Sequence, residues 1–404
     1  MKIAQIDVNY GSSSTGKIVS DLHVGLEESG HSVQAFFGRG PVSNIDATHK
    51  ISHDLEVGLH VLGTRVTGFT GDYSPMATRN LIKALDTYKP DLVHLHDLHG
   101  YFVNINTVVN YLKKNNIPTV WTFHCEFMYT GNCGYALDCD KWQTHCEACP
   151  SLADYPKTWF FDRTAKMFDV KYKMFDDFEN LHIVSPSDWL ARRIRKSVIA
   201  GSKDISVISN GLDLDVFYPR DPNDLRSNLK LKDQFTVLSV GSNFWSKIKG
   251  GEWILKLAER MPQVLFVMVG VDSRPNLAPD NVHMIPPVRD QNLLAEYYSA
   301  ADVLLLTSSQ ETFSMVTAES LACGTPVVGF DSGAPKEVAP NGYGSFVTHG
   351  DIEGLQVYIT GHMKQSNKKQ SSKYSDFAKK MYSKERMVQK YESIYKNLVK
   401  EKLQ

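Results

Sequence analysis

The chain alternates short apolar runs with stretches of helical period, and about halfway along the alternation starts afresh. In the first half, "KIAQIDV" (Lys2–Val8), "SVQAFFG" (Ser32–Gly38), "DLVHLHD" (Asp91–Asp97), "PTVWTFH" (Pro118–His124) and "NLHIVSPS" (Asn180–Ser187) read as strands. Between the first two, Gly16–His31 places Ile18, Leu22 and Leu26 on one helical face. The rhythm returns with "FTVLSVGS" (Phe235–Ser242), "VLFVMVG" (Val264–Gly270), "VHMIPP" (Val282–Pro287), "DVLLLTSS" (Asp302–Ser309) and "TPVVGF" (Thr325–Phe330). Strand, helix, strand in this order implies a parallel sheet covered on both faces. At 404 residues the chain exceeds one ordinary core. The expected class is therefore α/β, with two doubly wound domains. Residues 1–195 form the first, with a cysteine-rich insertion at 125–150, and residues 196–375 the second, with the connection read within Ala200–Pro222. Residues 376–404 form a closing helical segment, in which Met387, Tyr391, Ile394 and Leu398 make one stripe. Ligands of open α/β sheets bind beyond the strand carboxyl ends, so a cleft between two facing sheets is the expected site.

Charge narrows the partners. Lys and Arg total 44 against 45 Asp and Glu, a net −1 that gives no reason to expect nucleic acid. The exception is Met363–Gln404, with twelve Lys/Arg against four Asp/Glu. The opening "MKIAQIDVNYGSSSTG" lacks the pattern of a secretory signal. No run of about 18 apolar residues occurs anywhere. The expected location is the cytosol, including the inner face of the cell membrane.

"GSSSTGKI" (Gly11–Ile18) follows the first strand and opens the first helix. It is one residue short of the triphosphate loop Gly-x4-Gly-Lys-[Ser/Thr]: the eighth position is Ile18, which has no hydroxyl for Mg²⁺. What survives is a small-residue turn at a helix N-terminus, suited to an anion or a sugar; a plain turn has the same composition.

In "SSQETFSMVTAESLACGTPVVGF" (Ser308–Phe330), Glu311 lies just past a strand end and Glu319 eight residues on. The helix is expected from Ser314 to Gly324, with Pro326 beyond. Eight residues at about 100° each would leave Glu319 roughly 80° from the direction of Glu311. An ionised carboxylate accepts from two neighbouring hydroxyls, such as a ribose diol or a hexose edge. Helix electrostatics alone would explain Glu311 but not Glu319 in the helix body.

"ETFSMVTAE" with "SLACGTPVVGF" and "SGAPKEV" resembles the carboxyl-terminal domain of glycosyltransferase family 4, retaining enzymes of the GT-B fold. The resemblance extends through "STGKI", "VHLHDLHGY", "VWTFHCEFMYTGNC", "VSPSDWL", "ISNGLDLDVFYP" and "KGGEWILKLA", nearly the whole chain. The middle segment is similar to the branch that builds exopolysaccharide, colanic-acid-like and O-antigen chains. The resemblance implies two Rossmann-like domains facing a cleft, the closing helix returning to the amino-terminal domain, and a nucleotide-diphosphate sugar held by the second domain. Glu319 would hold the ribose and Glu311 the transferred sugar. Thr312, Phe313 and Ser314 would supply backbone amides, and Gly16 a further donor contact. "KIKG" (Lys247–Gly250) matches the basic pair that neutralises the diphosphate. The family's usual Arg after the strand glycine is Ser242 here, leaving Lys247 or Lys249 to carry the second charge. His124 would contact the transferring sugar, with His99 and Gly100 near the acceptor. On this pattern His124, Glu311, Lys247 and Lys249 are the catalytic set, and no catalytic metal is needed. The expected reaction moves a hexose onto an oligosaccharide acceptor, lipid-linked in the family's surface-polysaccharide branch.

Cys133, Cys139, Cys146 and Cys149 cluster in one loop and end in Cys-x2-Cys. In a cytosolic chain this set suggests a structural zinc; disulfides and plain packing remain the alternatives. "WLARRIRKSVIAG" (Trp189–Gly201) interleaves basic and apolar residues, suited to anionic lipid headgroups or to a solvated basic helix. Three rival functions stand beside the transferase: a nucleotide-sugar epimerase of the same fold, a triphosphatase, and a zinc-dependent nucleic-acid binder.

Overall fold

The computed structural model describes residues 1–41, 45–228, 234–271, 278–364 and 371–402. The chain divides into two units, Met1–Ser209 with Glu385–Gln404, and Asn210–Lys384.

The first unit is built on seven parallel strands: β1 (Lys2–Asp7), β2 (Ser32–Phe37), β3 (Thr48–Lys50), β4 (Leu92–Leu95), β5 (Thr119–Thr122), β6 (Leu181–Ser185) and β7 (Asp204–Val207). Their order across the sheet is β3-β2-β1-β4-β5-β6-β7. Helix Ser13–Glu28 buries Ile18, Leu22 and Leu26, the expected face, together with Val19. The closing helix Lys384–Lys402 returns to this unit, and a Cβ added at Gly25 would lie 2.5 Å from Val388. Its buried face is Met387, Val388, Tyr391 and Tyr395. The expected Ile394 and Leu398 are only half-buried, because the helix meets the sheet through its two tyrosines.

The first unit extends past the 195/196 boundary expected from sequence because β7 pairs with β6, Ile183 opposite Ile205. Likewise the return begins after Lys384 rather than at 376, since helix Ser371–Tyr382 packs in the second unit.

The second unit has β8 (Thr236–Val240), β9 (Leu265–Val269), β10 (Val282–Ile285), β11 (Val303–Leu306), β12 (Val327–Phe330) and β13 (Gly344–Val347), ordered β10-β9-β8-β11-β12-β13 and all parallel. Alternation along the strands divides its side chains between two cores. Leu238, Leu304 and Val327 join one, with helices Gln291–Ala300, Met315–Ala322 and Ser371–Tyr382. Val237, Val303, Leu305 and Val328 join the other, with helices Gly251–Arg260 and Ile352–Lys364. A strand buried on both faces reads as a continuous apolar run, which is why "DVLLL" is legible. Among the described residues no helix is long and apolar enough to cross a membrane.

Candidate active site

β11 ends in Leu306, and the chain leaves the sheet through Thr307, Ser308 and Gln310, all buried polar residues. The neighbouring segment before helix Gly251–Arg260 is strapped to it. Ser309 N donates to Ile248 O at 2.8 Å, and Thr307 Oγ1 donates to Lys249 O at 2.9 Å. Gly250 makes the close approach possible: its φ is +63°, and a Cβ there would sit 2.6 Å from Thr307 O. The strapping brings Lys249 Nζ to 2.7 Å from Glu311 Oε1, while Lys247 lies exposed.

Glu311 is not part of the helix that follows. Its N–H donates to Ser332 O at 2.8 Å and its carbonyl accepts from Ala334 N at 3.2 Å, a bridge to a second loop. The helix runs Met315–Ala322, entered through Ser314 at φ +79°. The angular offset expected for one continuous helix therefore does not describe the pair. Glu319 is buried in the helix body, and its Oε2 accepts from Tyr298 O–H at 2.7 Å. Burial, then the adjacent Glu319 charge, pushes the Tyr298 phenol well above its usual range, so it stays a donor. Phe313 is buried and packs edge-on against Tyr382 at 5.8 Å, leaving its backbone as the part that a ligand can use. Ser314 Oγ meets Thr317 Oγ1 at 2.8 Å across the first turn, and Thr312 is half-buried beside Glu311.

In the first unit the strand carboxyl ends carry buried titratable groups. His94 and His96 share a sheet face as the alternation predicts, with ring centroids 3.9 Å apart. His96 Nδ1 lies 3.0 Å from His124 Nε2, the rings stacked at 13°. Burial lowers His124 to about 4, so its imidazole is neutral at physiological pH. Behind them His94 Nδ1 meets Tyr395 O–H at 2.7 Å, and His94 Nε2 meets Thr122 Oγ1 at 2.8 Å, which in turn meets Tyr391 O–H at 2.9 Å. The closing helix thus anchors the histidine ladder.

His99 stacks on Phe127 at 4.9 Å and is held low, at about 3, chiefly by burial. The Cys125 thiol lies 3.8 Å from His99 Nε2 and 3.9 Å from Asp97 Oδ1, and ligand atoms of these three residues fall within 4.8 Å of one another. They form a partly buried cluster joined by weak thiol hydrogen bonds. Asp7, at the end of β1, accepts from the backbone N–H groups of Asn9 and Asp97 and is raised to about 7 by burial. Gly100 has a packing reason for its identity, since a Cβ there would collide with Val8. The Gly11–Gly16 turn closes on itself through Gly11 N to Gly16 O at 2.9 Å, and a Cβ at Gly16 would come within 3.0 Å of the Asn9 backbone. Ile18 is in the core, so the eighth loop position faces away from any phosphate.

The four loop cysteines, all free thiols, line one small cavity with Trp142. Cys133 donates to Cys149, which lowers Cys149 to about 7 and raises Cys133. The four residues share a cavity and are of the type that binds structural zinc, but their sulfurs are not drawn together as a set: among the described residues the one group whose ligand atoms fall within 4.8 Å of one another is Asp97, His99 and Cys125. The basic helix Asp188–Lys196 turns its apolar side inward and leaves Arg192, Arg195 and Lys196 exposed. Leu190, Ala191 and Ile194 are buried, and Arg193 Nε donates to the buried Glu126 at 2.5 Å.

Sequence reasoning missed Tyr298, Tyr391 as a hydrogen-bonding residue, Tyr395 and Asp7. A buried tyrosine needs a partner for its O–H, but that partner is far away in sequence and leaves no local trace.

Over 77% of this chain and 78% of the relative, it is 23% identical to the Escherichia coli (strain K12) protein named for colanic acid biosynthesis, glycosyl transferase WcaC. Sucrose-phosphate synthase from Thermosynechococcus elongatus superposes with a TM-score of 0.71 at 18% identity, over 98% of each chain. Anabaena HepE, solved in complex with UDP-glucose, gives 0.69 at 15% identity, over 98% of this chain and 100% of that one. These likenesses show the GT-B fold. Residues 234–364 match the family described as Glycosyl transferases group 1, and residues 15–216, half of the chain, match Glycosyltransferase Family 4. The chain is a glycosyltransferase and belongs to glycosyltransferase family 4.

Proposed function

We propose that this enzyme transfers a hexose, with retention of configuration, from a nucleotide-diphosphate sugar to a lipid-linked oligosaccharide in bacterial surface polysaccharide synthesis. The observation that carries the donor reading is the Lys249–Glu311 pair at the mouth of helix Met315–Ala322, with Glu319 held by Tyr298 inside it. A cation, a helix N-terminus and two carboxylates in one strand-end loop system match the needs of a diphosphate and a polyhydroxylated sugar. UDP-glucose bound to HepE, a protein of the same fold, supports a nucleotide sugar as ligand. The name of WcaC supports a polysaccharide as product.

In this reading the anomeric C–O bond to the β-phosphate breaks, and positive charge gathers on the sugar. The acceptor hydroxyl attacks the same face and forms the new glycosidic bond. Its proton leaves with the nucleoside diphosphate. Lys249, with Lys247 nearer solvent, stabilises the negative charge that develops on the β-phosphate, the electrostatic term that contributes most in such reactions. Glu319 holds the ribose, Glu311 and neutral His124 the transferred sugar, and the backbone of Thr312, Phe313 and Ser314 the phosphates. Gly16 approaches the donor, and His99 and Gly100 line the acceptor side. Cys133, Cys139, Cys146 and Cys149 would hold a zinc that pins their loop and takes no part in transfer.

The test is thermal stabilisation by UDP-, GDP-, ADP- and TDP-sugars, repeated with Glu319→Ala, followed by NMR of the product's anomeric configuration. One base should shift the wild type and not the variant, and the new linkage should keep the donor's configuration. A shift with ATP–Mg²⁺ alone would overturn the donor reading, and an inverted product the mechanism.

A further inference from the structure

The reactions above leave unused the face formed by helix Asp54–Thr67 and the segment Trp159–Phe161. On the helix, Leu55 is 77% exposed and Leu59 61%, and Leu62 and Val66 continue the row. Spacings of 4, 3 and 4 ordinarily mark the stripe a helix buries. Here that stripe points to solvent, while Glu56, Val57, His60 and Thr64 face inward. The aromatic segment adjoins its end: Trp159 N donates to Arg65 O at 2.7 Å. Trp159 is 48% exposed, Phe160 71% and Phe161 49%. With Met76, on the next helix, eight of the seventeen large apolar residues exposed among the described residues gather here. A soluble surface scatters such residues singly.

The cations are set among the rings. The Arg65 guanidinium lies 5.6 Å over Trp159, and that of Arg163 lies 5.2 Å over Phe161. Lys166 stands 5.3 Å over Phe69, and Lys157 is exposed in the same segment. Aromatic rings at headgroup depth, aliphatic side chains beyond them and Arg or Lys at the rim form the composition that suits a bilayer interface with anionic lipid. A second copy of the chain fits worse. A two-fold contact through this face would set the rims of cations against their own copies.

We propose that the outward stripe of helix Asp54–Thr67, together with Trp159–Phe161, seats the enzyme on the surface of an anionic phospholipid bilayer. The inference deepens the proposed function, resting on its lipid-linked acceptor for purpose but not for evidence. The basic helix Asp188–Lys196 keeps Arg192, Arg195 and Lys196 exposed but commits its apolar side to the core, so it lacks the exposed apolar row that this face presents.

The experiment is co-flotation of the full chain with phosphatidylcholine vesicles, with and without phosphatidylglycerol. Wild type should float with the phosphatidylglycerol vesicles, less so in high salt. The double variant Leu59→Ser, Phe160→Ser should float at least about tenfold less, since both lose apolar contact with the bilayer. Both sites are exposed, so the variant should keep the wild-type melting temperature and the nucleotide-sugar shift. Wild type left at the bottom of the gradient, or the variant floating equally, would overturn the proposal. A dimer in gel filtration that the variant dissolves, without vesicle binding, would assign the face to a second copy instead. Vesicle binding with no nucleotide-sugar shift would sink the proposed donor site and leave the membrane surface standing; the reverse result would do the opposite.

Discussion

The Lys249 ammonium lies 2.7 Å from Glu311 Oε1 and ties the loop before helix Gly251–Arg260 to the loop after β11. Of the two lysines expected at the diphosphate, it is the one the fold holds in place; Lys247 is exposed. Partly exposed pairs of this kind contribute about 0–1 kcal/mol to stability, so the pair serves position more than cohesion. Lys249→Ala should lower kcat by about 10²–10³, the scale of a lost electrostatic donor, with little change in melting temperature. Lys247→Ala should cost much less. Steady-state kinetics of both variants decide it, and equal losses would remove the distinction.

Tyr298 is a positioning residue for Glu319, acting through the 2.7 Å hydrogen bond. Tyr298→Phe leaves the buried carboxylate without that donor, a loss of about 1–1.5 kcal/mol in alignment. Calorimetry should show nucleoside diphosphate binding weakened roughly tenfold, with kcat at saturating donor nearly unchanged. Glu319→Ala should weaken binding further. A Tyr298→Phe enzyme that binds as tightly as wild type would show that Glu319 needs no orienting.

His124 sits at about 4 against an ordinary 6.5, through burial. The folded state therefore holds fewer protons here than the unfolded chain between these values. Its contribution to stability is complete above pH 6.5 and is lost as pH falls toward 4. Because the imidazole is already neutral, donor affinity should stay flat from pH 8 to about 6. Calorimetric titration across that range is the check, and a break near 6.5 that disappears in His124→Gln would mean a charged histidine in the site.

The four cysteines should retain about one zinc per chain through purification. Elemental analysis of wild type and Cys149→Ser tests this, with the variant losing the metal and melting at lower temperature. Chelator should reproduce the fall in melting temperature. A metal-free wild type of unchanged stability would leave the cavity as packing.

Much of the architecture was legible because a strand buried on both faces is mostly apolar. β1, β4, β5, β8, β9, β11 and β12 all carry such runs. The strands that escaped notice were β3, β7 and β13, the sequences "THK", "DISV" and "GSFV". Each lies at a sheet edge, with one neighbour and partial exposure, so nothing forces an apolar run. Missing β7 shortened the first domain in the sequence reading.

The site divides in the same way. Glu311, Glu319, the lysine pair and His124 were proposed from local motifs and the family they resemble, which carry residue type and spacing. Which lysine meets Glu311, 62 positions away, was not. Nor was Tyr298 under Glu319, or Tyr395 reaching His94 across 301 residues. The outward stripe of helix Asp54–Thr67 was opaque for another reason: its period is the same whether it faces a core or a bilayer. The sequence by itself determined which segments could become strands and helices, because periodicity acts through neighbours along the chain. The tertiary structure decided which charges and hydroxyls meet and which apolar faces stay uncovered, because those outcomes depend on contacts that close only when distant segments pack.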